Sequence, residues 1–240
     1  MAPAKSGQVE VTTKAEHIRG MFARIAHRYD LVNTLMSFGQ DNAWRQMAVD
    51  LAKPGRHSLA IDVATGTAEL ATKLAYSVRS VVAVDFCWEM MKRGREKVRK
   101  RGAQSKIQFV LADALMLPFK DSSFDCALVG FAMRNVASIP GSIAELRRII
   151  KPGGYVVCLE LTRPTLTVVA ALHRIYLHRL IPILGHWLSG DNRAYTYLPD
   201  SIARFPTADE LKSIMKEVGL RQVRYKLLNL GTVALHIGLK

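Results

Sequence analysis

The chain has 240 residues, 49% of them hydrophobic and 22% charged, a globular composition that excludes a disordered or fibrous protein. Lysine and arginine outnumber aspartate and glutamate by 34 to 20. The resulting net charge of +14 favours an anionic partner: nucleic acid, a membrane surface or an acidic ligand. Cys87, Cys126 and Cys158 have no CxxC spacing and cannot form a closed disulfide set, so a reduced, cytoplasmic compartment and no metal are expected.

Residues 1–15 read as a polar start without the apolar core of a secretory signal. Residues 16–57 read as a helical cap, with Ile18, Met21, Phe22, Ile25 and Ala26 at helical spacing and Pro54-Gly55 closing the region. From Ser58 short apolar runs alternate with helical stretches. Strands are predicted at Leu59–Val63, Val81–Asp85, Ile107–Leu111, Cys126–Phe131 and Tyr155–Leu159, and helices at about 68–77, 88–101 and 140–150. Leu166 to Leu188 is interrupted by His173, Arg174, His178, Arg179 and Pro182, so it reads as a broken amphipathic helix and not as a bilayer span. Ala208–Val218 is predicted helical, followed by strands Gln222–Leu228 and Val233–Leu239. Alternating strands and helices predict an α/β fold: a doubly wound, mostly parallel sheet with a C-terminal antiparallel hairpin, in one domain spanning 1–240.

In such sheets ligands bind beyond the carboxyl ends of the strands. The first predicted strand runs into Asp62-Val63-Ala64-Thr65-Gly66-Thr67-Ala68-Glu69, a loop of small residues that lets the backbone approach a ligand. Asp85 ends the second strand 19 residues after Gly66, the spacing at which an acid meets ribose hydroxyls. The third ends in Ala112-Asp113-Ala114, where a carboxylate can meet an adenine amino group. The loop is neither GxGxxG nor GxxxxGK[ST], which argues against pyrophosphate and triphosphate ligands. A nucleoside without phosphates, such as S-adenosylmethionine, fits better.

These residues resemble the class I S-adenosylmethionine-dependent methyltransferases. A closer resemblance, to the UbiE/MenG family of quinone C-methyltransferases, is carried by residues 21–33 (Met21-Phe22-Ala23 to Leu31-Val32-Asn33). Ser37-Phe38-Gly39, Trp44-Arg45, Leu117-Pro118-Phe119, Arg134-Asn135-Val136, Lys151-Pro152-Gly153-Gly154, Leu159-Glu160, Tyr195-Thr196-Tyr197-Leu198 and Gly231 to His236 extend it. The chain departs from the family's usual Gly-Thr-Gly-Asp at Gly66-Thr67-Ala68-Glu69, and from Phe-Gly-Leu-Arg-Asn at Phe131-Ala132-Met133-Arg134-Asn135. The resemblance implies a Rossmann-like methyltransferase fold that binds S-adenosylmethionine through Asp62, Gly66, Thr67, Asp85, Asp113, Ala114 and Gly130. It implies methylation of a polyprenylated quinol ring carbon, demethylmenaquinol first and a benzoquinol ubiquinone precursor second.

A quinol carbon becomes nucleophilic when its hydroxyl ionises, and a phenol has a pKa of about 10. Arg134, always cationic, is cast as the hydroxylate stabiliser, Asn135 as a partner of the ring oxygen, and His236 as a candidate proton acceptor. Tyr195 and Tyr197 are candidates for substrate contact. Lys92, Arg93, Arg95, Lys97, Arg99, Lys100, Arg101 and Lys106 form a basic run against the single acid Glu96. This run suits an anionic membrane surface, and the expected location is the cytoplasm, peripheral to the inner face of the membrane. A second copy of the chain, forming a homodimer, is a further candidate partner. The basic charge also suits an RNA or DNA methyltransferase, but no [DNS]PP[YFW] follows the fourth strand and no Pro-Cys supplies a cytosine nucleophile, so nucleic acid is not the expected partner.

Overall fold

The computed structural model describes residues 6–180 and 192–240, with side chains over 15–179 and 197–240. Three helices open the chain: α1 (Ser6–Ile25), α2 (Tyr29–Met36) and α3 (Asp41–Ala52). α1 therefore starts well before residue 16, and the cap is three helices broken at 26–28 and 37–40. Then come β1 (Leu59–Val63), α4 (Glu69–Ala75), β2 (Ser80–Asp85), α5 (Trp88–Lys100), β3 (Ile107–Leu111), β4 (Phe124–Gly130), α6 (Ile139–Ile149) and β5 (Ile150–Leu161). α7 (Thr167–Ile175), α8 (Asn192–Arg204), α9 (Ala208–Glu217), β6 (Arg221–Leu228) and β7 (Val233–Leu239) complete the chain.

The seven strands form one sheet in the order β3-β2-β1-β4-β5-β7-β6. β1 to β5 pair in parallel, while β7 runs antiparallel to both β5 and β6. The class I methyltransferase sheet and its terminal antiparallel hairpin are thus present. β5 is longer than its apolar run because Ile150 already pairs with Phe124, with a register irregularity before Cys126. The Lys151-Pro152-Gly153-Gly154 segment lies inside this strand rather than before it. A Cβ on Gly154 would come to 2.4 Å of the Asp125 carbonyl oxygen, so the glycine there reflects close backbone approach.

Strand residues alternate between two cores, as period-2 geometry requires. Ala60, Val81, Ala83, Cys126, Leu128, Val157 and Leu159 pack under α3, α4 and α5. Ile61, Val63, Val84, Ala127, Val129 and Val156 face α6 and α9. Connections from β1 run outward to β2 and β3, and β4 begins the return on the other side. The topological switch point therefore lies between β1 and β4, and the crevice at their carboxyl ends is where a ligand is expected. No described helix is long and apolar enough to cross a membrane.

Candidate functional site

Two cavities meet above the switch point. The first is narrow and is lined largely by the ends of β1 to β4 and the loops after them: Asp62 to Leu70, Asp85-Phe86, Ala112 to Leu115 and Gly130 to Ala132. All seven residues expected to contact a cofactor line it: Asp62, Gly66, Thr67, Asp85, Asp113, Ala114 and Gly130. The second cavity, of ≈ 430 Å³, is walled by helices and is largely apolar, with Met36, Phe38, Trp44, Leu161, Val169, Leu172, Tyr176, Leu177 and Leu198 among its lining residues. Tyr29, Arg45 and Phe131 border both cavities.

The β1–α4 loop is held in a strained shape. Ala64, Gly66 and Ala68 have φ of +54°, +56° and +62°, and Phe131 after β4 has +57°. Left-handed backbone costs a non-glycine residue roughly 1–2 kcal/mol, and such residues gather at functional sites. At Gly66 a side chain would add crowding, since a Cβ would lie 3.3 Å from Met90. Asp85 fixes the loop: its carboxylate accepts from the Gly66 N–H at 2.7 Å and the Cys87 N–H at 2.8 Å. Asp62 accepts from the Thr65 hydroxyl at 2.5 Å and the Ala71 N–H at 2.9 Å. Burial pushes the Asp62 carboxyl up to about 7, against hydrogen bonds from Thr65 and Ala71 and the nearby Arg45 charge. Burial likewise raises Asp85 to about 6, against backbone N–H groups of Cys87, Gly66 and Phe86.

The lining of this cavity contains four carboxylates (Asp62, Glu69, Asp85, Asp113) and one guanidinium, Arg45. That donor set disfavours a phosphate-bearing ligand and fits a cationic nucleoside with hydroxyl and amino donors, so S-adenosylmethionine fits. Thr67, buried, donates its hydroxyl to Asp30 of α2 at 2.5 Å. Asp30 also pairs with Lys97, which pairs with Glu69 at 2.6 Å, and Arg101 reaches Glu69 at 3.1 Å. Half of the basic run is thereby engaged within the protein, because Lys106 donates to the Ala75 and Val78 carbonyls and Arg93 pairs with Glu96. Lys92, Arg95, Arg99 and Lys100 are exposed.

Arg134 and Asn135 occupy the short turn after β4 and border the small cleft that also contains Tyr197; Arg134 borders the apolar cavity as well. Arg134 is buried and donates to Glu160 at 2.5 Å and to the Phe131 carbonyl at 2.6 Å, while its Nε has no hydrogen-bond partner. Glu160, fully buried on β5, also accepts from the Arg134 and Leu161 N–H groups. The Tyr197 hydroxyl donates to Asn135 Oδ1 at 3.1 Å, and burial raises its pKa above the usual tyrosine value. Tyr195 lies on α8, with its side chain outside the described residues.

His236 is not brought to this site. It lies on β7, 1% exposed, with Nε2 2.8 Å from the Ala208 carbonyl and its ring against Tyr225, and it lines neither cavity. Burial pushes its pKa down. The candidate proton-acceptor role of His236 therefore has no geometric support: the ring faces the α9 side of the sheet hairpin, away from both cavities.

Sequence reasoning assigned no role to Arg45, Phe131, Glu160 or Asp30. Arg45 is buried, pairs with Asp41 one turn earlier and lies 5.1 Å from the Phe131 ring centroid. A cation inside the apolar run of α3 and an acid inside the apolar run of β5 were the available signals.

The sequence profile of the ubiE/COQ5 methyltransferase family matches residues 10–240. The chain belongs to this family. It is 42% identical over 229 residues to the demethylmenaquinone methyltransferase of Roseiflexus castenholzii, covering 95% of this chain and 94% of that one. The Thermus thermophilus protein of the same name is 42% identical over 220 residues, covering 91% and 99%. The ubiquinone/menaquinone biosynthesis C-methyltransferase UbiE of Hahella chejuensis is 36% identical over 236 residues, covering 97% and 95%. Among solved structures, a SAM-dependent methyltransferase of Thermotoga maritima superposes with a TM-score of 0.65 at 18% identity, covering 92% of this chain and 99% of that one. At that identity the likeness concerns the fold, and it agrees with the family's methyltransferase architecture.

Proposed function

We propose that this ubiE/COQ5 family member is an S-adenosylmethionine-dependent C-methyltransferase acting on a polyprenylated quinol, with demethylmenaquinol as its substrate and menaquinol as its product. The observation that carries this reading is the junction at Tyr29, Arg45 and Phe131, where a carboxylate-lined cavity at the strand ends opens onto an apolar cavity. The choice of a naphthoquinol over a benzoquinol is supported by the names of the relatives at 40–42% identity.

When bound, S-adenosylmethionine supplies a methyl group already activated on a sulfonium. In this reading Asp85 accepts from the ribose hydroxyls, Asp113 meets the base, and Asp62 holds the loop. Trp44 and Phe131, 6.3 Å apart between ring centroids, form an apolar wall that excludes water from the junction. Arg134, immobilised by Glu160 and lining the apolar cavity, presents its guanidinium to a ring oxygen and so favours the hydroxylate. Tyr197 stays protonated at neutral pH and orients Asn135 as a further ring-oxygen partner. The ring carbon would take the methyl in line as the methyl–sulfur bond breaks and S-adenosylhomocysteine departs, and the ring proton would pass to solvent as aromaticity returns.

The partners in this reading are a membrane-embedded quinol and an anionic membrane surface, with the protein peripheral to the inner face of the membrane. The test is mass analysis of products after incubation with S-adenosylmethionine and separate prenylated naphthoquinols, prenylated benzoquinols and RNA. Mass gain of one methyl on the naphthoquinol is expected. Preference for the benzoquinol overturns the ring assignment, and methylated RNA without methylated quinol overturns the whole reading.

A further inference from the structure

α7 has an unusual surface for a helix of a globular protein. None of its residues is buried. Val168, Leu172 and Ile175 share one face at i, i+4 and i+7, and all three are exposed, Val168 at 72%. Phe38 at 80% and Leu230 at 75% are exposed beside them while also lining the apolar cavity, as does Leu172. These three side chains are therefore the rim of its mouth. Phe38 is fastened there by its ring contact with Tyr176, whose hydroxyl donates to the Met36 carbonyl at 2.7 Å. Single exposed apolar residues are ordinary; a contiguous apolar rim around a cavity mouth marks an interaction site.

Charge supports one occupant. Between Leu161 and Leu180 there are three arginines, Arg163, Arg174 and Arg179, and no carboxylate. Arg163 lies 3.9 Å from Glu210; Arg174 and Arg179 are exposed at the carboxyl end of the face. An apolar stripe whose own segment carries cations and no carboxylate matches an anionic lipid interface, where apolar side chains enter the headgroup boundary and cations meet phosphates; of the nearby acids, Asp41 pairs with Arg45 and Glu210 lies by Arg163. Cavity size points the same way. A volume of ≈ 430 Å³ is that of a drug-sized ligand. It holds a ring and the start of a tail, and a long polyprenyl chain must leave through the rim.

We propose that the face formed by α7, Phe38 and Leu230 is the surface by which this protein docks on a bilayer, so that the apolar cavity opens into lipid. This rests on the prenylated-quinol reading above. It moves the membrane contact from the basic run of α5, half of which is engaged internally, to the mouth of the acceptor cavity.

The test is co-sedimentation with vesicles of phosphatidylglycerol and phosphatidylcholine in equal parts. Val168→Asp/Ile175→Gln alters two exposed residues outside both cavities; Arg95→Gln/Lys100→Gln alters α5. The α7 variant is expected to lose about tenfold or more in vesicle partitioning, and the α5 variant less than about threefold. Both should keep the wild-type circular dichroism and methylate a tail-less, water-soluble quinol at the wild-type rate, while the α7 variant alone slows on a long-tailed quinol in vesicles. Equal vesicle binding by wild type and the folded α7 variant overturns the proposal, as does a larger loss in the α5 variant. A wild-type dimer in vesicle-free buffer that the α7 variant converts to monomer also overturns it and assigns the face to a second copy. Failure of the wild type to methylate any quinol defeats the functional reading instead, and vesicle binding still reports on the face.

Discussion

The two cavities differ in what builds them. The carboxylate-lined one is made chiefly by four loops at the ends of adjacent parallel strands, so its four carboxylates all lie at or within a few positions of a strand end, while Phe22, Tyr29 and Arg45 close it from the helical cap. The apolar one is assembled from α2, α3, α7, α8 and the β6–β7 connection, and the contacts that hold it and the small cleft beside it span long intervals: Arg134 to Glu160, Asn135 to Tyr197, Met36 to Tyr176. The difference teaches that the sheet topology fixes where a donor can sit, while acceptor choice depends on packing among helices that the topology leaves free.

If that division holds, damage on the acceptor side should leave donor binding intact, and the reverse. The largest effect is expected at Glu160→Ala, which strands the buried Arg134 guanidinium. Breaking a buried pair in this way costs about 3–5 kcal/mol, read as a lower denaturant midpoint with unchanged slope. A change below about 1 kcal/mol would mean that Arg134 finds another partner or water. Next is Arg134→Ala, expected to cut turnover roughly 10²–10³-fold with S-adenosylmethionine affinity nearly unchanged, with partial recovery at higher pH where more substrate ionises unaided. Arg134→Lys should recover only part, since a point charge replaces a planar fork. Near wild-type turnover in a folded Arg134→Ala variant would make this arginine a structural cation.

On the donor side, Asp85→Ala should weaken S-adenosylmethionine about tenfold or more by calorimetry, because a charged acceptor typically contributes about 1.5–3 kcal/mol. The pH dependence sharpens the point. Asp62 and Asp85 titrate at about 7 and about 6, above the ordinary carboxylate value. Their contribution to stability is therefore complete below about pH 4 and is lost as pH rises through 6 to 7. Cofactor affinity should run the opposite way, rising across the same interval as the carboxylates ionise and releasing protons on binding. A flat affinity profile would remove both groups from the cofactor site. The smallest effect is expected at Ala68→Gly. Relief of the left-handed strain, about 1 kcal/mol, opposes loss of a buried methyl, about 0.8 kcal/mol, so stability should change by less than about 1 kcal/mol by thermal denaturation.

Much of the first region was legible in the sequence. β1, β3 and β7 match their apolar runs residue for residue: β1 and β7 are buried on both faces and so read as short apolar segments with sharp ends, and the edge strand β3 is a short β-branched and aromatic run that stops just before Ala112-Asp113. The apolar run of β5 starts only at Tyr155, while the strand itself begins at Ile150 and crosses two glycines, of which Gly154 serves close approach to β4. The aspartates at strand ends stood out because carboxylates are rare next to buried strands. Glu160 was equally conspicuous, but its partner follows a different strand and no spacing rule connects them. His236 misled for the converse reason: a histidine in a tail motif carries no sign of which face of the sheet it occupies.

The chain of contacts Thr67–Asp30–Lys97–Glu69 has a thermodynamic consequence. Thr67 belongs to the donor loop, and Asp30 follows Tyr29, which borders both cavities. Donor occupancy that steadies the loop also steadies α2, and so lowers the ordering cost of forming the acceptor wall. Linkage then requires reciprocity: each ligand must raise the other's affinity by the same factor. The expected pattern is mutual enhancement of the two affinities, and Asp30→Ala should reduce the coupling more than it reduces either affinity alone. Acceptor titrations with and without S-adenosylhomocysteine measure that factor directly, and a factor of one would show that the two chambers fill independently.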